Sequence, residues 1–194
     1  MKKQIAAVCV SCALVGGILV GCGAQPAQNA EQSEVTQDEA EGRLSNLNSF
    51  TAKTADGKEF SNKNFASADV TLITVWSENS ESCKDEMADV AAWSKMLPKS
   101  VQSVTFCTDY DQDGAQVLKD AGFEGVTVVS GDGDYEKFIS QISRTPTAVV
   151  VDTEGNILEE PVEGAPINLT TSYTKLINQG LTDEGKATIN VAAI

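Results

Sequence analysis

Val70-Thr71-Leu72-Ile73-Thr74-Val75-Trp76, followed by Ser77-Glu78-Asn79-Ser80-Glu81-Ser82-Cys83-Lys84-Asp85-Glu86-Met87, is the stretch that decides the fold. The first seven residues are β-branched and apolar and read as a buried strand. After a polar loop, Met87, Val90, Ala91 and Leu97 fall at helical spacing, and Pro98 stops the helix. The same alternation continues downstream. Val101 to Thr108 reads as a strand, Ala115 to Ala121 as a helix ended by Gly122, and Val126 to Val129 as a short strand. Tyr135 to Ile142 is helical, with Phe138, Ile139 and Ile142 on one face, and Thr147 to Val151 is a second buried strand. It turns at Asp152-Thr153-Glu154-Gly155 into Asn156 to Glu160. Asn168 caps a last helix through Asn178, which Gly180 is expected to close. Upstream, Phe50 to Thr54 and Lys58 to Phe60 flank Ala55-Asp56-Gly57, a hairpin signal. Alternating strands and helices predict an α/β fold: a central mixed sheet, parallel in its middle and flanked by helices, with an N-terminal hairpin extension.

Further out, the chain changes character. Residues 23–48 are Ala, Gln, Glu and Ser with almost no bulky apolar side chain, so they read as a flexible tether. Residues 181–194 form a tail without periodicity, leaving one domain over 49–180. At the N-terminus a basic Met1-Lys2-Lys3 precedes an apolar run from Ile5 to Val20, the pattern of an export signal. The run ends in Leu19-Val20-Gly21-Cys22, which resembles the bacterial lipobox. That resemblance implies cleavage after residue 21, a diacylglycerol thioether on Cys22, and a protein anchored on the extracytoplasmic side of the membrane. Cys9 and Cys12 would leave with the signal, so only Cys83 and Cys107 remain as thiols, in a compartment where disulfides persist.

Composition removes whole classes of function. With 28 Asp and Glu against 14 Lys and Arg, the formal charge is −14, which argues against a nucleic-acid partner. The chain has no histidine, so Cys–His and Ser–His pairs are excluded. Chemistry must rest on Cys, Ser, carboxylates or backbone, and no organic cofactor is implied.

The order of strand, cysteine-bearing loop, long helix and later Thr145-Pro146-Thr147 before an apolar strand resembles the thioredoxin fold. The closer similarity is to TlpA-like and ResA-like exported thiol–disulfide oxidoreductases. In that family a strand ending in Trp leads to Cys-x-x-Cys and an acidic-Met pair, here Trp76 through Glu86-Met87, and Asp152-Thr153-Glu154-Gly155 matches the later turn. The resemblance implies that Pro146 is cis and lies against the redox cysteines, and that the neighbouring backbone pairs with an extended substrate peptide.

One position departs from the family. Ser80 stands where the attacking cysteine belongs, and Cys83 occupies the resolving position. Exchange starts with a thiolate, which a serine hydroxyl does not replace at neutral pH. Three readings follow. Cys83 pairs with Cys107, which the implied topology brings to the same sheet edge. Alternatively the domain is a peroxiredoxin-like peroxidase, with Ser80-Glu81-Ser82-Cys83 standing for that family's Thr/Ser-x-x-Cys. Against this, Trp76 replaces the family's proline, and its activating arginine aligns near Pro146, leaving Arg144 as the substitute. Glu78, Glu81, Asp85 and Glu86 disfavour a thiolate there, while the helix N-terminus and Lys84 favour one. In the third reading the domain is a non-catalytic module binding an extracytoplasmic protein or peptide around Trp76, Ser80 and Pro146.

Asp109-Tyr110-Asp111-Gln112-Asp113-Gly114, with Asp120 at the twelfth position, resembles an EF-hand loop. Asp120 is shorter than the usual bidentate Glu, and Gln116 sits where an apolar anchor is usual. Asp109, Asp111 and Asp113 are therefore read first as helix-capping residues of a strand-to-helix connection, and Asp132-Gly133-Asp134 as a turn.

Overall fold

The computed structural model describes residues 43–191, so the signal, Cys22 and most of the tether lie outside the described residues. Seven strands form one sheet: β1 (Thr51–Thr54), β2 (Glu59–Ser61), β3 (Val70–Trp76), β4 (Val101–Cys107), β5 (Val126–Gly131), β6 (Thr147–Val151) and β7 (Val162–Glu163). Their spatial order is β2-β1-β5-β4-β3-β6-β7. The parallel block β3–β4–β5 sits in the middle, and the remaining pairings are antiparallel. Among the described residues four α-helices, α1 (Glu81–Ser94), α2 (Gln112–Ala121), α3 (Asp134–Gln141) and α4 (Leu169–Asp183), and a 3-10 helix (Asn62–Ser67) complete the fold. This is the expected thioredoxin-like architecture, with β3 beside both β4 and β6.

Register brings the candidate site residues to one rim. Trp76 pairs with Cys107 and Val75 with Thr147, so the ends of β3 and β4 and the start of β6 share an edge of the sheet. Central strands are buried on both faces, which is why β3 and β6 lack polar alternation. Val70, Leu72 and Trp76 pack against α1 and α4, where Trp93 meets Tyr173 edge-to-face with ring centroids 5.5 Å apart. Ile73 and Val75 face the other way. There Phe50, Phe60 and Phe65 from the N-terminal segment join Phe106, Tyr135 and Phe138 in a chain of aromatic contacts. The N-terminal segment, hairpin included, therefore shares with α3 the cover of the second face of the sheet.

Four expectations about boundaries and turns need correction. Residues 43–48 are not tether: Leu47 is fully buried, its N–H donates to the Gly155 carbonyl at 2.8 Å, and Asn48 Nδ2 reaches the Glu154 carbonyl and Asn156 Oδ1. Gly180 does not close α4. The helix runs on to Asp183, and Gly180 is buried inside it because a Cβ there would lie 3.1 Å from both Val150 and Leu158. The supposed tail is also packed, with Asn178 bonding both the N–H and the carbonyl of Ile189, and Lys186 pairing with Asp69 at 3.0 Å. Finally, the return over 156–160 forms no strand and is held to β6 by the Ile157–Val151 bridge and by the Leu158 N–H on the Val150 carbonyl at 3.0 Å.

Candidate functional site at the rim of the sheet

Ser80 is the N-cap of α1, with extended backbone (φ −102°, ψ 116°) that turns the chain from the loop into the helix. Its hydroxyl makes no capping bond and instead lies 3.0 Å from Ser82 Oγ. The Ser80 carbonyl accepts the N–H groups of Cys83 and Lys84, both at 3.1 Å. One helical turn on, Cys83 points into the core and is 1% exposed. The position that meets solvent thus carries a hydroxyl, and the thiol is behind it.

Cys107 ends β4 and is also wholly buried. Both cysteines are free thiols, so the Cys83–Cys107 bridge is not formed in this structure. Burial pushes the Cys107 thiol up to about 12, reinforced by the Asp109 carboxylate, whose Oδ1 accepts its S–H at 3.7 Å. A thiol so held stays protonated at neutral pH and is a poor nucleophile.

The Thr145–Pro146 bond is cis, Pro146 is buried, and its carbonyl accepts the Gly164 N–H at 2.7 Å. The substitute arginine of the peroxidase reading makes no hydrogen bond or ion pair with Ser80 or Cys83. Arg144 is exposed, with its side chain against Gly164. Lys84 is committed to Glu81 at 2.9 Å.

Two of the three candidate metal ligands, Asp109 and Asp111, are occupied by protein donors, and Asp113 contributes its N–H to Asp111. Asp109 accepts from Ser77 Oγ (2.6 Å), the Glu78 N–H (2.9 Å) and Asn79 Nδ2 (2.7 Å). Burial works to raise its pKa, but these donors outweigh it and hold the carboxyl below its ordinary value. Asp111 caps α2 by accepting the Asp113 N–H at 2.7 Å. Among the described residues no three His, Cys, Asp or Glu side chains converge as a metal site.

Two buried carboxylates escaped the sequence reading as structural elements of this rim. Glu78 sends Oε2 across to α2, where it accepts the N–H groups of Asp111 (2.8 Å) and Gly114 (2.7 Å). Gly114 is glycine for a local reason: a Cβ would sit 2.5 Å from that oxygen. The glycine of the EF-hand-like string was the available signal. Glu86, on the buried face of α1, accepts the Tyr173 hydroxyl at 2.5 Å through Oε1, while Oε2 has no partner. Burial pushes the Glu86 carboxyl up, the Tyr173 bond opposes this, and Asp89 adds to it.

A family model described as Redoxin matches residues 35–176, more than half of the chain. Among solved structures, the thioredoxin domain of a thiol-disulfide oxidoreductase from Bacteroides vulgatus is similar at 17% identity, with a TM-score of 0.54, over 70% of this chain and 99% of that one. A thiol:disulfide interchange protein of the thioredoxin family from Chlorobium tepidum gives 18% identity and a TM-score of 0.57, over 73% and 99%. A secreted disulfide oxidoreductase from Mycobacterium tuberculosis gives 16% and 0.50, over 68% and 94%. At these identities the likeness establishes the fold. No curated protein matches the chain.

Proposed function

The chain belongs to the Redoxin family, and from that premise we propose that it is a lipid-anchored, extracytoplasmic thioredoxin-like protein of the thiol–disulfide oxidoreductase lineage whose site holds a partner segment instead of exchanging disulfides. The observation that carries this reading is Ser80: the residue presented at the rim is a hydroxyl, and Cys83 behind it is 1% exposed. Exchange needs a thiolate that an incoming disulfide can reach, and this rim presents none. Cys107 does not replace the missing thiol, since burial and Asp109 keep it protonated.

The backbone that such a contact would use supports the reading. Pro146 still opens β6 at the rim, its own carbonyl is held by Gly164, and Thr145 just before it is half-buried. An extended segment of an extracytoplasmic protein would add alongside Thr145 by main-chain pairing and cross the N-terminus of α1 at Ser80. The lipobox-like Leu19 to Cys22 would keep this surface at the membrane.

The test is insulin disulfide reduction by the natural chain and by Ser80→Cys. A silent natural chain and an active variant are expected. Robust turnover by the natural chain that survives Cys107→Ser would overturn the proposal.

A further inference from the structure

We propose that Glu78 and Asp109 are positioning residues that fix the Ser77–Ser80 segment against the N-terminus of α1, and so set the reactivity of the group at position 80. This deepens the reading above and rests on it for position 80 as the contact point.

Two loops meet at the rim, one leaving β3 and one leaving β4, and each supplies the acceptor for the other's donors. Asp109, on the second loop, takes three donors from consecutive residues of the first: Ser77 Oγ, the Glu78 N–H and Asn79 Nδ2. Glu78, on the first loop, takes the N–H groups of Asp111 and Gly114 at the start of α2. N–H groups in the first turn of a helix have no partner within it, so the Glu78 carboxylate satisfies a need that α2 cannot meet alone. Gly114 is buried and its surroundings are full, since a Cβ would lie 2.5 Å from Glu78 Oε2 and 2.8 Å from the Tyr110 ring.

None of these bonds involves the side chain of residue 80, which faces Ser82. The clasp acts through the backbone. It fixes residues 77–79, and their path determines where residue 80 meets α1. Stabilisation of an anion by a helix N-terminus falls off within the first turn, so small displacements there change reactivity. Glu78, Glu81, Lys84, Asp109, Asp111 and Asp113 are charged groups at this corner: Asp109 holds residues 77–79, Asp111 caps α2, and Lys84 bonds Glu81 and also feels Asp113 and Glu78.

Ser80→Cys in the full chain supplies the reporter. The alkylation rate of the new thiol by iodoacetamide is measured against pH under reducing conditions. Gly114→Ala keeps every charge and displaces the Glu78 carboxylate. It should slow alkylation at neutral pH about fivefold and move the midpoint of the profile upward, as loss of an ordinary helix-terminus contact would. Glu78→Gln removes the charge and keeps an acceptor, whereas Glu78→Ala removes both, so Glu78→Ala should be the slower of the two. Combining Glu78→Ala with Gly114→Ala should cost no more than Glu78→Ala alone, because both break the same bonds. A profile unmoved by Gly114→Ala, or coincident for the two Glu78 variants, would overturn the proposal. If Gly114→Ala does not fold, the two Glu78 variants decide it. A partner that never meets position 80 would sink the binding reading while this profile still shifts, so the two failures are distinguishable.

Discussion

Leu47 and Gly155 meet backbone to backbone: the Leu47 N–H donates to the Gly155 carbonyl at 2.8 Å, and a Cβ on residue 155 would lie 2.3 Å from the Leu47 carbonyl oxygen. Gly155 sits at φ +90°, where side chains are strained in any case. This contact joins the end of a polar, tether-like stretch to the turn after β6.

Leu47→Ala should therefore destabilise the domain by about 3 kcal/mol, the cost of emptying a filled core position. Gly155→Ala should cost about 2 kcal/mol or more. Urea denaturation checks both. A midpoint unchanged in Leu47→Ala would place the start of the domain after residue 48.

The natural chain should consume hydrogen peroxide no faster than Cys83→Ser does. Cys83 is shielded, and Arg144 is turned to Gly164. Stopped-flow peroxide assays decide the matter. A rapid phase that disappears only in Cys83→Ser would establish the peroxidase reading in place of the binding one.

Glu86 makes stability depend on pH. Burial raises its pKa in the folded protein, so the folded state binds that proton more tightly than the unfolded state. The resulting stabilisation is complete below the ordinary carboxyl range and is lost as pH rises through the raised folded value. Thermal scans between mildly acidic and neutral pH should show Tm falling over that window, with a shallower fall in Glu86→Gln. Tyr173→Phe removes the bond that lowers this pKa and should make the fall steeper. Equal slopes in all three proteins would show that Glu86 does not titrate in this window.

Lipidation at Cys22 predicts that the mature protein partitions with membranes and that Cys22→Ala is released from them. Mass spectrometry decides it. A mature chain still carrying an unmodified Met1 would exclude the anchor.

The parts of the fold that sequence reveals are those where one residue's neighbours along the chain carry the signal. β3 and β6 are continuous apolar, β-branched runs, and their observed limits coincide with the expected ones, Val70 to Trp76 and Thr147 to Val151. α2 ends at Gly122 in the left-handed conformation, a local rule that sequence states directly. Gly180 looks the same in sequence and is different in space, because its role is set by Val150 and Leu158, far along the chain. Leu47 failed for the same reason: one leucine in a polar stretch carries no period, and only the Gly155 turn makes it core.

At the candidate site, the strand–loop–helix order made the chain positions of Ser80 at the N-terminus of α1, Cys107 at the end of β4 and the cis Pro146 before β6 legible. The carboxylates were not. Glu78 and Asp109 lie in polar loops where acidic residues are ordinary, and their partnership depends on two β-α connections meeting at one rim. Asp109, Asp111 and Asp113 resembled a cation loop because cation loops and helix caps both use short carboxylates at alternate positions.

The two buried thiols sit at different depths of the architecture, and that makes the natural chain its own gauge of partial opening. Cys83 is carried by α1 on the face of the sheet, whereas Cys107 is stitched into β4 between β3 and β5. Detaching α1 carries the first away, whereas the second stays on the sheet, its side chain in the same helix-covered cluster, and is exposed when the layer over the end of β4 opens. Slow labelling by a thiol reagent under native conditions would accordingly resolve two opening events in one unaltered molecule, the shallower timed at Cys83 and the deeper at Cys107.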